Sequence, residues 1–303
     1  MSLRASVRRS PNVTPVAALE GTCVVITGGN SGIGLETAVT LARAGAHVVI
    51  TARDPGRGAT ALADIRARSG GDVEVMALDL ASFASVRNFA DQYAATHDRL
   101  DILVNNAGAI LKQRRTTEDG HEAQLQTNHL GHFLLTDALR SRLVDSAPAR
   151  VVVVASDAHR FARRGLRWAD LETPKRHYWA FRTYARTKLM NILFTRELAR
   201  RLDGSGVTAN AVHPGYVASR FSRDGDTGFM GNVGMVLGRP FAISPEKGAR
   251  TSVYVASSPD LHDITGQYFV KCRVAQPSRA GQDDVAAARL WDVSAELTHG
   301  EAR

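Results

Sequence analysis

Cysteine is scarce: the 303 residues include only Cys23 and Cys272. Two cysteines with no pair spacing exclude a disulfide framework or a cysteine metal site, so a reducing compartment, the cytoplasm, is expected. Long apolar runs are also missing. Stretches such as 151–155 stop far short of the ~20 residues a membrane-spanning helix needs, so a soluble chain with no membrane span is expected. Arg8-Arg9 has the form of an export signal, but Pro11 and Pro15 follow, and the apolar stretch 16–19 is too short to serve one.

Acid is lacking in two places, and this matters more than the overall formal charge of +8. Residues 1–18 hold Arg4, Arg8 and Arg9 and no acid, which reads as a flexible basic arm. Residues 160–186 hold eight Arg or Lys against Asp170 and Glu172. Together these stretches carry the whole excess, leaving the remainder near neutral. Charge so confined, with no recognition helix or aromatic platform motif, argues against a nucleic-acid partner. It reads as a solvated surface segment or, because it adjoins candidate catalytic residues, as a basic rim to a substrate entrance.

What remains is ordinary globular composition, 44% hydrophobic and 22% charged, which excludes wholesale disorder. Short Val- and Ile-rich runs at 22–27, 47–51, 73–78, 100–104, 150–155, 207–212 and 267–270 alternate with helical stretches. These lie at 33–44, 58–68, 82–96, 121–143, 183–202 and 284–297. Near-continuously apolar strands separated by helices predict an α/β fold, a doubly wound, mainly parallel sheet flanked by helices. We expect one domain over 19–303, with an insertion at about 157–182 and a substrate loop at about 219–244. That loop carries Phe221, Phe229, Met230, Met235 and Leu237, adaptable side chains suited to an apolar carbonyl or alcohol substrate.

Four local patterns carry chemistry. The first strand runs into Gly28-Gly29-Asn30-Ser31-Gly32-Ile33-Gly34 and then a helix. Glycines let backbone approach a pyrophosphate, and the helix N-terminus presents free N–H groups to it. At the end of the second strand, where a ribose-binding acid would stand for NAD, Ala52 is followed by Arg53. A guanidinium suits a 2′-phosphate, which favours NADP over NAD. Asn105-Asn106-Ala107-Gly108 follows the fourth strand, either as a turn or as the floor of a cofactor cleft. Tyr184 and Lys188, four apart, share a helix face, and an ammonium near a phenol favours phenolate and a usable acid/base. Ser156, at the end of the fifth strand, can hold a substrate oxygen beside that phenol.

This set resembles the short-chain dehydrogenase/reductase superfamily, a Rossmann-type fold, over about residues 20–295. The matching elements are Thr27–Gly34, Asp79-Leu80, Asn105–Gly108, Asn128, Ser156, Tyr184 with Lys188, and Pro214-Gly215. Finer features resemble its retinol dehydrogenase-like branch: Asn128–Phe133, Lys188–Asn191, His213-Pro214-Gly215, Ser244–Gly248, Gly266–Phe269 and the long step from Ser156 to Tyr184. The chain departs from the pattern in having Ala155 before Ser156, Ser219 where a threonine is common, and no hydrophobic N-terminal anchor.

The resemblance implies an NADP(H)-dependent oxidoreductase acting on a carbonyl or alcohol carbon. Tyr184 would be the proton donor and acceptor, Lys188 would lower its pKa and hold the nicotinamide ribose, Ser156 would polarise the carbonyl, and Asn128 would support a relay water. Gly28, Asn30, Ser31, Gly32, Ile33 and Gly34 would line the pyrophosphate, with Arg53, Asp79 and Leu80 toward the adenosine and Asn105, Ala107 and Val217 beside the remaining cofactor. The competing class is a non-catalytic NADP-binding sensor or scaffold, whose expected mark is loss of the Ser/Tyr/Lys set. His129, His132, His159 and His213 form no spaced ligand set, so no metal is expected. Leu189, Ile192, Leu193 and Leu198 read as core, while Met190 and Phe194 offer a face for a second subunit in a homo-oligomer.

Overall fold

The computed structural model describes residues 16–217 and 243–300. The arm up to residue 15 and nearly all of the 219–244 loop therefore lie outside the described residues. Chain order is β1 (Cys23–Ile26), α1 (Gly32–Arg43), β2 (His47–Ala52), α2 (Pro55–Ser69), β3 (Val73–Ala77), α3 (Phe83–Thr96) and β4 (Ile102–Asn105). It continues with α4 (Ala123–Leu125), α5 (Gly131–Ala138), α6 (Arg140–Asp145), β5 (Ala149–Val154), α7 (Ala180–Arg201) and β6 (Val207–His213). The last elements are α8 (Pro245–Ser257), β7 (Tyr268–Val270), β8 (Arg273–Ala275) and α9 (Asp284–His299). All eight strands form one sheet in the order β3-β2-β1-β4-β5-β6-β7-β8. Pairing is parallel from β3 through β7, and only β7–β8 is antiparallel.

The continuously apolar strands feed two cores because successive side chains point to opposite faces. Val25, Val49, Leu103, Val151 and Val153 enter one core with Phe89, Phe133 and Phe194. Val24, Ile50, Val104, Val152 and Val154 enter the other with Leu41, Ile65 and Val253. Strand order reverses between β1 and β4, and the crevice beyond their carboxyl ends is where such sheets bind ligands.

Several expectations change. The single helix expected over 121–143 is broken into α4, a wider π-type turn at Gln126–Leu130, α5 and α6. Buried polar side chains cause the break. Asn128 turns inward to bond the Ala109 backbone, and Gly131 packs so close to Leu80 that a Cβ would lie 2.4 Å from its carbonyl oxygen. The sequence marks helix α8 only through the motif Ser244–Gly248; Pro245 opens it and Ser244 Oγ caps it through Lys247 N at 3.4 Å. Met190 and Phe194 do not face a second subunit. Both are buried in the core of the chain, Phe194 under α9, where Trp291 stacks on Phe194 at 5.9 Å and meets Phe133 edge-on at 4.9 Å.

Candidate active site

The glycine turn is built for close approach. Gly28 adopts φ +63°, a left-handed conformation that favours glycine, and a Cβ on Gly34 would lie 2.5 Å from the Gly28 carbonyl oxygen. Asn106 secures the turn. Its Nδ2 donates to Thr27 O at 2.8 Å, and its backbone N–H and that of Ala107 both donate to Thr27 Oγ1 at 2.9 Å. His132 lies 2.9 Å from the same hydroxyl, and burial pushes its pKa down to about 3, so it is a neutral strut. The sequence singled out Asn105 and Ala107 and gave Asn106 no role of its own.

Beyond the turn, α1 begins with no acid in its first turn, and the Ser31 side chain at the N-cap accepts no bond from the helix N–H groups. Its leading N–H groups are therefore available to an anion. Val217, Ile33 and Gly248 pack together beside this end; a Cβ on Gly248 would lie 2.6 Å from Val217 and 3.3 Å from Ile33. Arg53 follows β2, exposed, with no ion pair among the described residues. Asp79 and Leu80 end the next strand connection, Asp79 Oδ1 accepting from Ala81 N at 2.9 Å. Asn105 donates to Thr136 at 2.8 Å, while its buried Oδ1 has no partner. A crowded glycine cradle, open helix amides and an orphaned buried amide oxygen fit a dinucleotide cofactor.

The catalytic candidates meet where β5 ends against α7. Ser156 stands in extended backbone just past β5, its Oγ accepting from Ala158 N at 3.1 Å. Tyr184, on the first turns of α7, shares a side-chain hydrogen bond with Ser156. One turn on, the buried Lys188 donates from Nζ to Val154 O at 2.8 Å, and Asn191 donates to the same carbonyl at 3.2 Å. Strand end, serine, tyrosine and lysine are thus tied into one unit. The expectation that Lys188 draws the phenol down is not met in this arrangement. Burial pushes Tyr184 up to about 12, with the Ser156 bond acting against it, and burial pushes Lys188 down to about 7.

Asn128 reaches this unit indirectly. Its Oδ1 accepts from Ala109 N at 2.7 Å, and its Nδ2 donates to Ala109 O at 2.9 Å and to Thr187 Oγ1 at 3.2 Å. Thr187 in turn donates to Tyr184 O at 2.8 Å. Asn128 therefore positions α7 against the loop after β4. Two further residues that the sequence left unassigned support Ser156: His213 Nδ1 accepts from Asp157 N at 3.3 Å, and His159 Nδ1 lies 2.7 Å from Ser156 O.

The 157–182 insertion is tied down rather than freely solvated. Glu172 accepts from Glu122 N at 2.7 Å and pairs with His121 at 2.8 Å. Tyr178 donates to Leu111 O at 2.6 Å, and Arg114 donates to Thr173 O at 2.9 Å. The cations of the 160–186 stretch divide accordingly. Arg186 bonds Thr173 and Asp170 O, and Arg160 bonds Asp157 and Gln276 O, whereas Arg163 and Arg164 are exposed.

The comparisons agree with this geometry. The short chain dehydrogenase family model matches residues 22–167. Retinol dehydrogenase 12 of Mus musculus is 45% identical over 280 residues, covering 92% of this chain and 87% of that protein. The crystal structure of an uncharacterized protein from Mycobacterium paratuberculosis superposes with TM-score 0.75 at 36% identity, covering 95% of this chain and 97% of that one. A Pseudomonas aeruginosa RhlG/NADP active-site complex does so with TM-score 0.67 at 28% identity, covering 84% and 96%. The chain belongs to the short-chain dehydrogenase/reductase superfamily, oxidoreductases that act on CH–OH and C=O groups with a nicotinamide cofactor. Within it, the chain falls in the retinol dehydrogenase-like branch.

Proposed function

We propose that this protein is an NADP(H)-dependent oxidoreductase of a lipophilic alcohol or carbonyl compound, with Tyr184 as its general acid/base. The observation that carries this reading is the meeting of Ser156, Tyr184 and the buried Lys188 at the end of β5, with Lys188 Nζ 5.6 Å from the centre of the Tyr184 ring and 2.8 Å from Val154 O. When bound, the nicotinamide supplies or accepts the hydride. Ser156 and Tyr184 hold the substrate oxygen between them. In reduction the Tyr184 O–H donates its proton to that oxygen, leaving phenolate; in oxidation the Tyr184 phenolate oxygen receives the proton from the substrate hydroxyl. A phenol held at about 12 keeps its proton at neutral pH, as the donor must. Asn128 and Thr187 fix the tyrosine's helix, and Lys188 supplies an amine one turn away for the nicotinamide ribose.

NADP is favoured over NAD by Arg53 after β2, where no acid stands, and by the NADP held in the Pseudomonas aeruginosa relative. A lipophilic substrate is supported by Phe161 and Phe181, which flank Ser156 and Tyr184 in sequence. They are 64% and 39% exposed, with rings 5.2 Å apart edge to face. The relative named retinol dehydrogenase 12 points the same way. We place the enzyme in the cytoplasm, on its low cysteine content. A panel of aliphatic and polyene aldehydes, ketones and alcohols, followed by nicotinamide absorbance, tests the reading. Turnover of long apolar substrates with NADPH is expected; no turnover with any member, or preference for NADH, overturns it.

A further inference from the structure

At the other end of the sheet, away from the cofactor crevice, three side chains from distant parts of the sequence converge. His47 opens β2, Glu74 lies on β3, and His97 caps the C-terminus of α3. Val49 of β2 pairs with Glu74, so His47, two residues earlier, shares the face of the sheet that carries Glu74 and receives α3. One ligand-capable atom from each lies within 4.8 Å of the others. We infer that His47, Glu74 and His97 form a Zn2+ site that clasps the end of α3 to the edge of the sheet.

The hydrogen bonds around the three residues already suit a metal. Thr96 Oγ1 donates its proton to Gln92 O at 2.8 Å and lies 2.8 Å from Nδ1 of His97. Nδ1 carrying the imidazole hydrogen toward that oxygen frees Nε2 to bind a metal. That Nε2 faces Glu74 Oε1 at 3.1 Å, and Oε1 is buried without a hydrogen-bond partner. A metal ion held between Nε2 and Oε1 would give that buried oxygen the partner it lacks. Asp72 holds Nδ1 of His47 at 2.8 Å, leaving Nε2 as the coordinating atom. An outer oxygen orienting each ligating imidazole is the usual second layer of a zinc site. Tyr93 stacks on His97 at 4.3 Å with planes 3° apart and fixes that ring.

Bond lengths of about 2.0–2.2 Å to imidazole nitrogen and carboxylate oxygen put tetrahedral ligand atoms about 3.3–3.6 Å apart. The Glu74–His97 pair is already close to that spacing, and the remaining atoms need to close by an ångström or so. Two imidazoles and a carboxylate are a donor set that suits zinc better than calcium or magnesium. Water completes the fourth position.

Calorimetric titration of ZnCl2 into the chelator-treated, dialysed full chain tests this. One equivalent should bind, and His97→Asn and Glu74→Gln should each weaken binding at least tenfold. His262→Asn, at an exposed histidine elsewhere, should leave it unchanged. A zinc excess of about a hundredfold over Kd should raise the wild-type Tm by ~5 °C. If a variant misfolds by circular dichroism, diethylpyrocarbonate labelling of the wild type decides: Zn2+ must protect His47 and His97. No saturable binding, binding that survives both substitutions, or absent protection overturns the site.

Discussion

The two sides of the crevice are built by different means. The nucleotide side, from β1 through the glycine turn to the first residues of α1, is assembled within a dozen consecutive residues and stapled by Asn106 to Thr27. The catalytic side is assembled across the chain. Ser156 and Tyr184 meet across an insertion that is anchored through Glu172, Thr173 and Tyr178 to the segment around residues 111–122. Steric crowding fixes the first side, and a spread of polar tethers fixes the second. The first should therefore fail abruptly on small changes, and the second by degrees.

The largest effect is expected at Gly34. Its replacement by Ala drives a methyl to 2.5 Å from the Gly28 carbonyl, a contact that backbone cannot yield. NADPH affinity should fall by a hundredfold or more (~3 kcal/mol), read by quenching of nicotinamide fluorescence. Arg53→Ala comes next. A charge-assisted bond to phosphate contributes about 1.5–3 kcal/mol, so KM for NADPH should rise roughly tenfold or more while KM for NADH stays unchanged.

The tethered side should respond to pH. The hydrogen bond to Glu172, outweighing the opposing effect of burial, raises the pKa of His121. A raised folded pKa gives a contribution fully present below the unfolded value of about 6.5 and lost as pH rises through the folded one. Hydrogen exchange in residues 157–182 should therefore quicken between pH 6 and pH 8 beyond its intrinsic rate, and Glu172→Gln should abolish that extra increase. The smallest effect is expected from Arg163→Glu with Arg164→Glu. Both residues are exposed, and kinetics within twofold of wild type would mark them as solvated surface.

The same contrast explains what could be read from the sequence. The glycine turn, the Tyr184–Lys188 spacing and the strand ends are local signals, and each lands where its pattern predicts. Boundaries failed where distant contacts decide them. Helix 121–143 breaks because Asn128 serves Ala109 and Thr187, and Met190 and Phe194 are buried within the chain's own core, Phe194 under α9. Spacing named Lys188 as the neighbour of the phenol but could not weigh burial, which governs both pKa values. His47, Glu74 and His97 belong to no motif, and only the sheet register brings them together.

The division of labour between the two sides is tested most directly by measuring NADPH binding and turnover together in Tyr184→Phe and Gly34→Ala. Tyr184→Phe should bind NADPH within about threefold of wild type while kcat falls by about 10²–10⁴, and Gly34→Ala should lose binding itself. Turnover retained in Tyr184→Phe, or NADPH affinity retained in Gly34→Ala, would contradict the account.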